Sequence, residues 1–186
     1  MPIYEALQPT SPDLLAQTWR SGWVLGLDTM RTTVEAARHG DIPRLVELMH
    51  EFYAESNHRL DRAWAERSFR ELLAGKDRGG AWVARRETEA VGYVVLTLRH
   101  SMEFGGLTGV IDDLFVRPGA RRSGVGSALL AALFDACHSL GAAAVHVESG
   151  SDNAAAAGLY RKFGLVPHEE ARHTLTARLA KEKHAV

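Results

Sequence analysis

Two arginines, a serine and two spaced glycines stand together at Arg121-Arg122-Ser123-Gly124-Val125-Gly126. They follow an apolar run, Ile111 to Val116, that is bounded by Pro118-Gly119, and they precede Ala128, Leu129, Ala131, Ala132, Leu133 and Ala136, which recur at helical spacing. The order is therefore strand, loop, helix. A helix start offers unpaired main-chain N–H groups at the positive end of its dipole, glycines let an anion approach them, and arginines add charge. The chemistry implied is a phosphate or pyrophosphate cradle built mainly from backbone, with Ser127 in the first turn behind it. A plain strand-to-helix turn would use glycine only for its backbone angles and arginine only for solubility. The placement of Arg-x-x-Gly-x-Gly at the junction favours the cradle, although it is neither a Walker loop nor GxGxxG.

Other residues could do proton chemistry beside that cradle. Asp112 and Asp113 interrupt the apolar strand, and alternation sends them to opposite faces unless a bulge intervenes, so one carboxylate is expected to face the site. Tyr160 lies seven residues after Asn153, two turns of one helix, which points both to about the same side. On their own, Asn153 reads equally as a helix cap and Tyr160 as a packed ring.

Arg121-x-x-Gly124-x-Gly126 after Leu114-Phe115-Val116, followed by Asn153 and Leu159-Tyr160-Arg161-Lys162-Phe163-Gly164, resembles the GNAT superfamily of acetyl-CoA-dependent N-acetyltransferases. The resemblance covers about residues 31 to 180. It implies an acetyl-CoA site in which main-chain groups of Leu114, Phe115 and Val116 pair with the pantetheine amides like an added strand, while Arg121, Arg122, Ser123, Gly124, Val125, Gly126 and Ser127 hold the pyrophosphate and Asn153 bonds the cofactor. It makes Tyr160 the acid that protonates the departing thiolate. The order Ile111-Asp112-Asp113-Leu114 is similar to the central strand of diamine acetyltransferases, which implies that Asp112 is the base, with Asp where those enzymes carry Glu. Such a base is needed because an alkylammonium of pKa about 10.4 must lose its proton before it attacks. Asp113, Glu103 and Glu148 are candidate acceptor contacts, and Glu51 and Glu55 could join them around a cation.

Composition narrows the alternatives. The 186 residues suit one domain plus an extension, and 46% hydrophobic with 24% charged content is ordinary for a globular chain. A net charge of −1, without aromatic interleaving around Arg117, Arg121 and Arg122, argues against nucleic acid. The lone Cys137 suits a buried thiol in a reducing, cytoplasmic setting, no stretch has the length of a membrane span, and His168 to His173 misses the HExxH spacing of a metal site. The expectation is thus an N-acetyltransferase acting on a small-molecule or peptide amine, without metal, membrane or nucleic acid. The alternative of a different class is a non-catalytic acyl-CoA-binding regulatory module, against which Tyr160 and Asp112 argue.

Stepping along the chain, residues 1–30 read as an extension with a helix start at Ser11-Pro12-Asp13 that could dock on a second subunit, making a homodimer the expected assembly. Residues 31–180 form the domain and 181–186 a tail. A strand at Thr32 to Ala36 precedes a helix capped by Asp41, then a helix over Leu60 to Ala74 carrying Trp64, Phe69, Leu72 and Leu73. Ala81 to Arg86 and Val91 to Leu98 make a hairpin, Ala143 to Glu148 a strand, Asn153 starts a short helix ending at Gly164, and Val166 to Glu169 with Thr174 to Leu179 make a last hairpin. The fold class expected is α/β (α+β): a mixed, mostly antiparallel sheet of about seven strands with about four helices.

Overall fold

The computed structural model describes residues 32–75, 77–149 and 154–167. Its elements in chain order are β1 (Thr32–Ala36), α1 (Ile42–Glu55), α2 (Arg62–Leu73), β2 (Gly79–Arg86), β3 (Glu89–Ser101), β4 (Gly106–Val116), α3 (Val125–Ser139), β5 (Ala144–Val147) and α4 (Ala154–Lys162). The strands form one sheet in sequence order, antiparallel from β1 to β4, with β5 parallel to β4. The described residues thus hold five strands where about seven were expected. The difference is the last hairpin, which lies outside the described residues apart from positions 166–167, as do the residue 1–30 extension and Asn153.

Each face of the sheet is covered by its own helices. Ile42, Leu45, Val46, Leu48 and Met49 of α1 and Ala65 and Phe69 of α2 pack on Ala81, Val83, Tyr93, Val95 and Phe115. On the other face Val125, Leu129, Leu130, Leu133 and Cys137 of α3 pack on Ala84, Val94, Leu96 and Ile111, with Leu159 and Tyr160 of α4 against them. The period of two along β3 decides this division, since Tyr93 and Val95 face one layer and Val94 and Leu96 the other. Burial raises the pKa of the Cys137 thiol, in keeping with a packing role.

One local expectation, the cap at Asp41, needs correction. Asp41 precedes α1, but its carboxylate accepts from the Arg38 N–H at 2.8 Å and pairs with Arg85 on β2 instead of capping the helix. Trp64 is 42% exposed, because at the start of α2 the buried stripe falls on Ala65 and Phe69. The cap of α2 is Asp61, whose Oδ1 accepts from the Trp64 N–H at 3.1 Å.

Close approach of β3 to β4 rests on Gly92. A Cβ there would stand 2.7 Å from the Phe115 carbonyl oxygen and 3.3 Å from the Val116 Cα and a Leu129 methyl. Gly92→Ala is therefore expected to lower unfolding free energy by about 1–3 kcal/mol in urea titration, while Gly119→Ala, which meets nothing within 4 Å, stays within about 0.5 kcal/mol of wild type. Equal midpoints for the two variants would show that the strands separate freely.

Candidate active site

The pairing of β4 with β5 spans only Thr108 to Ile111 against Ala144 to Val147. Beyond it, β4 has a strand on one side alone among the described residues. Arg117 N–H donates to the Val91 carbonyl at 2.9 Å, and in an antiparallel ladder main-chain groups alternate sides, so Phe115 also turns its N–H and C=O to β3. Leu114 and Val116 thus turn main-chain groups to the open edge, where the Val116 carbonyl accepts from Arg121, and Phe115 buries its ring against Phe52 and Tyr93 at centroid distances of 5.7 and 6.4 Å.

The open edge runs into the start of α3. Gly124, at φ 88°, precedes the helix and offers no side-chain cap, so the first N–H groups of α3 face the loop without one. Arg122 is also left-handed at φ 58°, a conformation costing an arginine about 1 kcal/mol and concentrated at functional turns. Ser123 closes the loop, its hydroxyl donating to the Ala120 carbonyl at 2.7 Å and accepting from Arg86. Val125 is buried and Ser127 half-buried. Gly126 is the tight point, since a Cβ there would lie 3.0 Å from a Leu159 methyl and 3.9 Å from Val116. That contact brings α4 beside both the loop and the end of the open edge. Tyr160, the next residue, is half-buried against the α3 layer, and burial raises its phenol pKa.

The arginines divide in a way the sequence did not show. Arg117 clamps Glu51 of α1 with Nε to Oε2 at 2.9 Å and Nη2 to Oε1 at 2.6 Å, and reaches Glu89 at 2.7 Å. Arg121 sends Nη2 to both oxygens of Glu55 at 2.6 and 2.7 Å, donates from Nε to the Val116 carbonyl at 2.8 Å, and lies 5.8 Å over the Phe115 ring. Glu51 and Glu55, two of the carboxylates expected around a cation, are thus paired with the loop's own arginines. Their signal in the sequence was the matched spacing of four in Glu51/Glu55 and Arg117/Arg121.

Both aspartates come to one face because the strand bulges. Val95 stands opposite Asp113 and Leu96 opposite Ile111, which leaves Asp112 as the extra residue and turns Asp113 to the side of Tyr93 and Phe115. The bulge is the one exception under which alternation does not separate the two. Asp113 accepts from the Tyr93 hydroxyl at 3.0 Å. Burial pushes its carboxyl up to about 6, against the lowering effect of the Tyr93 bond and with a smaller raising effect from Asp112. The pKa of Asp112, which is exposed, is raised by partial burial and by the charge of Glu148, itself exposed just beyond β5. Tyr53 of α1 and Tyr93 are both raised by burial and by the two aspartates. Nothing in the sequence marks Tyr93 beyond its being a hydroxyl-bearing ring in an aliphatic strand. Glu103 is exposed between β3 and β4, where its neighbour Phe104 meets His146 of β5 at 5.1 Å. A cleft of about 290 Å³ opens on Arg44, Glu47, Glu89 and Arg117, and none of Asp112, Asp113 and Tyr160 lines it. No group of three potential metal ligands occurs among the described residues.

Comparison with known proteins places this arrangement. The sequence model of the acetyltransferase (GNAT) family matches residues 42–165. An integron cassette protein from the mobile metagenome of Cole Harbour Salt Marsh is 43% identical, with 82% of this chain and 93% of that one aligned at a TM-score of 0.70. A possible acetyltransferase from Clostridium difficile 630 shares the fold at 16% identity, covering 80% of this chain and 99% of its own, with a TM-score of 0.69. An aminoglycoside N-acetyltransferase in complex with CoA does so at 16% identity, 83% and 99% coverage and a TM-score of 0.68. No curated protein matches the sequence.

The Asp113 environment has a consequence for stability. Its folded pKa, about 6, lies above the ordinary aspartate value of 3.8, so the folded state holds this proton more tightly than the unfolded state. The stabilisation is complete below about pH 4 and is lost as pH rises through 6, an effect of about 3 kcal/mol at most. Asp113→Asn should flatten the urea-derived stability profile between pH 4 and 7 relative to wild type. An unchanged slope in that window would place the titration elsewhere.

Proposed function

Because the chain belongs to the acetyltransferase (GNAT) family, we propose that it moves the acetyl group of acetyl-CoA to a primary amine, of a small molecule, a polyamine-like compound or a peptide, by direct attack within a ternary complex. The observation that carries this reading is the open edge of β4 at Leu114 and Val116 running directly into the uncapped start of α3. Pantetheine carries two amides and suits the edge. A pyrophosphate suits the N–H groups that follow it, with Arg122 adding charge. The nucleotide end and the thioester would thereby lie at opposite ends of one slot.

Chemistry at the thioester end needs a base for the ammonium, a stabilised oxyanion and an acid for the thiolate. The bulge supplies two carboxylates on the face of Tyr53 and Tyr93, and Asp112, the more exposed, is the one that can meet solvent-borne cation with Glu148 nearby in charge. Tyr160 suits the acid role, since a phenol whose pKa is raised stays protonated at neutral pH and can give its proton to a thiolate. Cys137, buried and raised, suits a reducing compartment such as the cytoplasm.

Isothermal titration with acetyl-CoA tests the slot, and an acceptor screen that detects released CoA thiol tests the reaction. Binding in the micromolar range is expected, and Gly126→Glu should abolish it while unfolding stays cooperative, because the new side chain brings bulk and negative charge to the tightest point of the loop. Polyamines, aminoglycosides, amino acids and peptides belong in the screen. Tight binding with no thiol released from any amine would identify the non-catalytic acyl-CoA-binding module instead. On the best acceptor, Tyr160→Phe should lower kcat by roughly 100-fold or more with acetyl-CoA affinity little changed. A Tyr160→Phe enzyme with wild-type kcat from pH 6 to 9 would remove that residue from the reaction.

A further inference from the structure

The two aspartates of the bulge are not equivalent. Asp112 is exposed, and no hydrogen bond among the described residues fixes its carboxylate. Asp113 is half-buried, on the same face, and is gripped by a tyrosine that is itself 0% exposed. A buried ring with its hydroxyl aimed at a carboxylate has little freedom to turn elsewhere, because Phe69 and Phe115 pack against it at 6.3 and 6.4 Å. The oxygen of Asp113 that accepts this bond is committed, and the direction of the other oxygen is fixed with it.

We propose that Asp113, oriented by Tyr93 as a positioning residue, is the carboxylate that takes the proton from the incoming ammonium, and that Asp112 attracts the cation without taking its proton. The proposal rests on the acetyltransferase reading above. The ammonium gives one proton to the free oxygen of Asp113, directly or through one water, and becomes a neutral amine. Its lone pair forms the bond to the thioester carbonyl carbon, and the carbon–sulfur bond breaks with its electron pair going to sulfur. Tyr160 protonates that sulfur, the second proton on the acylated nitrogen restores Tyr160, and Asp113 returns its proton to solvent.

Three observations favour Asp113 over its neighbour. Rigid placement is worth more to a proton acceptor than exposure, since proton transfer requires heavy atoms within about 2.6–3.2 Å in one orientation. A carboxylate raised toward neutrality is the stronger base, and Asp113 is raised to about 6. The groups facing it are Tyr93 from β3, Asp112 from its own strand and Tyr53 from α1, and none is a cation that would draw it back to a weak base. The Tyr93 bond works in the opposite sense to burial. It lowers the carboxyl's pKa and keeps the group ionised at the pH where an ammonium must be met.

The experiment pairs a titration with kinetics. In the free full-length protein, NMR of a carboxyl-labelled Asp113 should titrate near 6, and Tyr93→Phe, which removes only the hydroxyl, should move it upward. Replacing Tyr93 by 3-fluorotyrosine, a stronger donor of unchanged shape, should move it downward. With the acceptor found in the screen, the acid limb of kcat/KM should follow the same two shifts. Asp113→Asn should lower kcat/KM by roughly 100-fold or more at pH 7, the usual loss for a general base. Asp112→Asn should raise the acceptor KM and, by removing the neighbouring charge that raises Asp113, move the limb slightly downward without abolishing it. An Asp113→Asn enzyme within threefold of wild type, or an acid limb that ignores both changes at Tyr93, overturns the assignment. A protein that transfers no acetyl group yet shows both NMR shifts would overturn the acetyltransferase reading and leave the Tyr93–Asp113 unit standing.

Discussion

Among the described residues the pairing of β4 with β5 stops at Ile111 and Val147, and the rest of the site depends on that interruption. Every main-chain N–H and C=O removed from water needs a partner, so a strand that loses its neighbour halfway must end in solvent, find side chains, or receive a ligand. Here the Val116 carbonyl is met by Arg121 at 2.8 Å, and the strand runs on into a loop whose own N–H groups lead the next helix. The same strand bulges at Asp112, one residue past the last β5 pairing. Edge and bulge thus share one place in the sheet. The first leaves peptide groups without a strand partner among the described residues, and the second turns carboxylates toward Tyr53 and Tyr93.

Holding a loop in a shape that keeps its N–H groups pointed outward requires contacts from outside the loop, and α1 supplies them. Its apolar face is buried on the sheet through Leu45, Leu48 and Met49, while Glu51 and Glu55 reach Arg117 and Arg121 on either side of the turn at Pro118 to Ala120. The Arg117 pair is the more sheltered, at 23% and 35% side-chain exposure against 45% and 41% for Arg121 and Glu55. Exposed pairs contribute up to about 1 kcal/mol each, so the clamps add modestly to folding stability and chiefly fix where the loop sits. The pKa of Arg117 is raised, first by its bond to Glu51.

The parts legible in the sequence were those set by local chemistry. Glycine at the loop, alanine and leucine at helical spacing, and a proline-glycine stop after β4 are written over a dozen residues, and the structure places a strand, a loop and α3 there. Contacts between distant segments were not legible in the same way. The pairs Glu51–Arg117 and Glu55–Arg121 each span 66 residues, and charged side chains at such separation read first as solvated surface or as acceptor contacts. Tyr93 was hidden for a related reason, because its partner Asp113 reaches it only when the strand carries one extra residue. A bulge leaves no mark in the pattern of apolar residues beyond the pair of aspartates that interrupts it. Trp64 shows the limit from the other side, since the sequence names a large apolar residue at a helix start and does not tell that it is exposed.

Because one helix carries both the core face and the two clamping glutamates, α1 is keyed to the loop like a tooth to a ratchet. Substitutions along it change one contact at a time. A single inserted or deleted residue between Leu48 and Glu51 would instead turn the two glutamates about 100° away from the core face and shift them about 1.5 Å along the axis. Arg117 would lose Glu51 while keeping Glu89, and Arg121 would lose Glu55 in the same step. The segment from Leu48 to Glu55 is therefore a place where chain length matters more than side-chain identity, although no residue in it need touch a ligand.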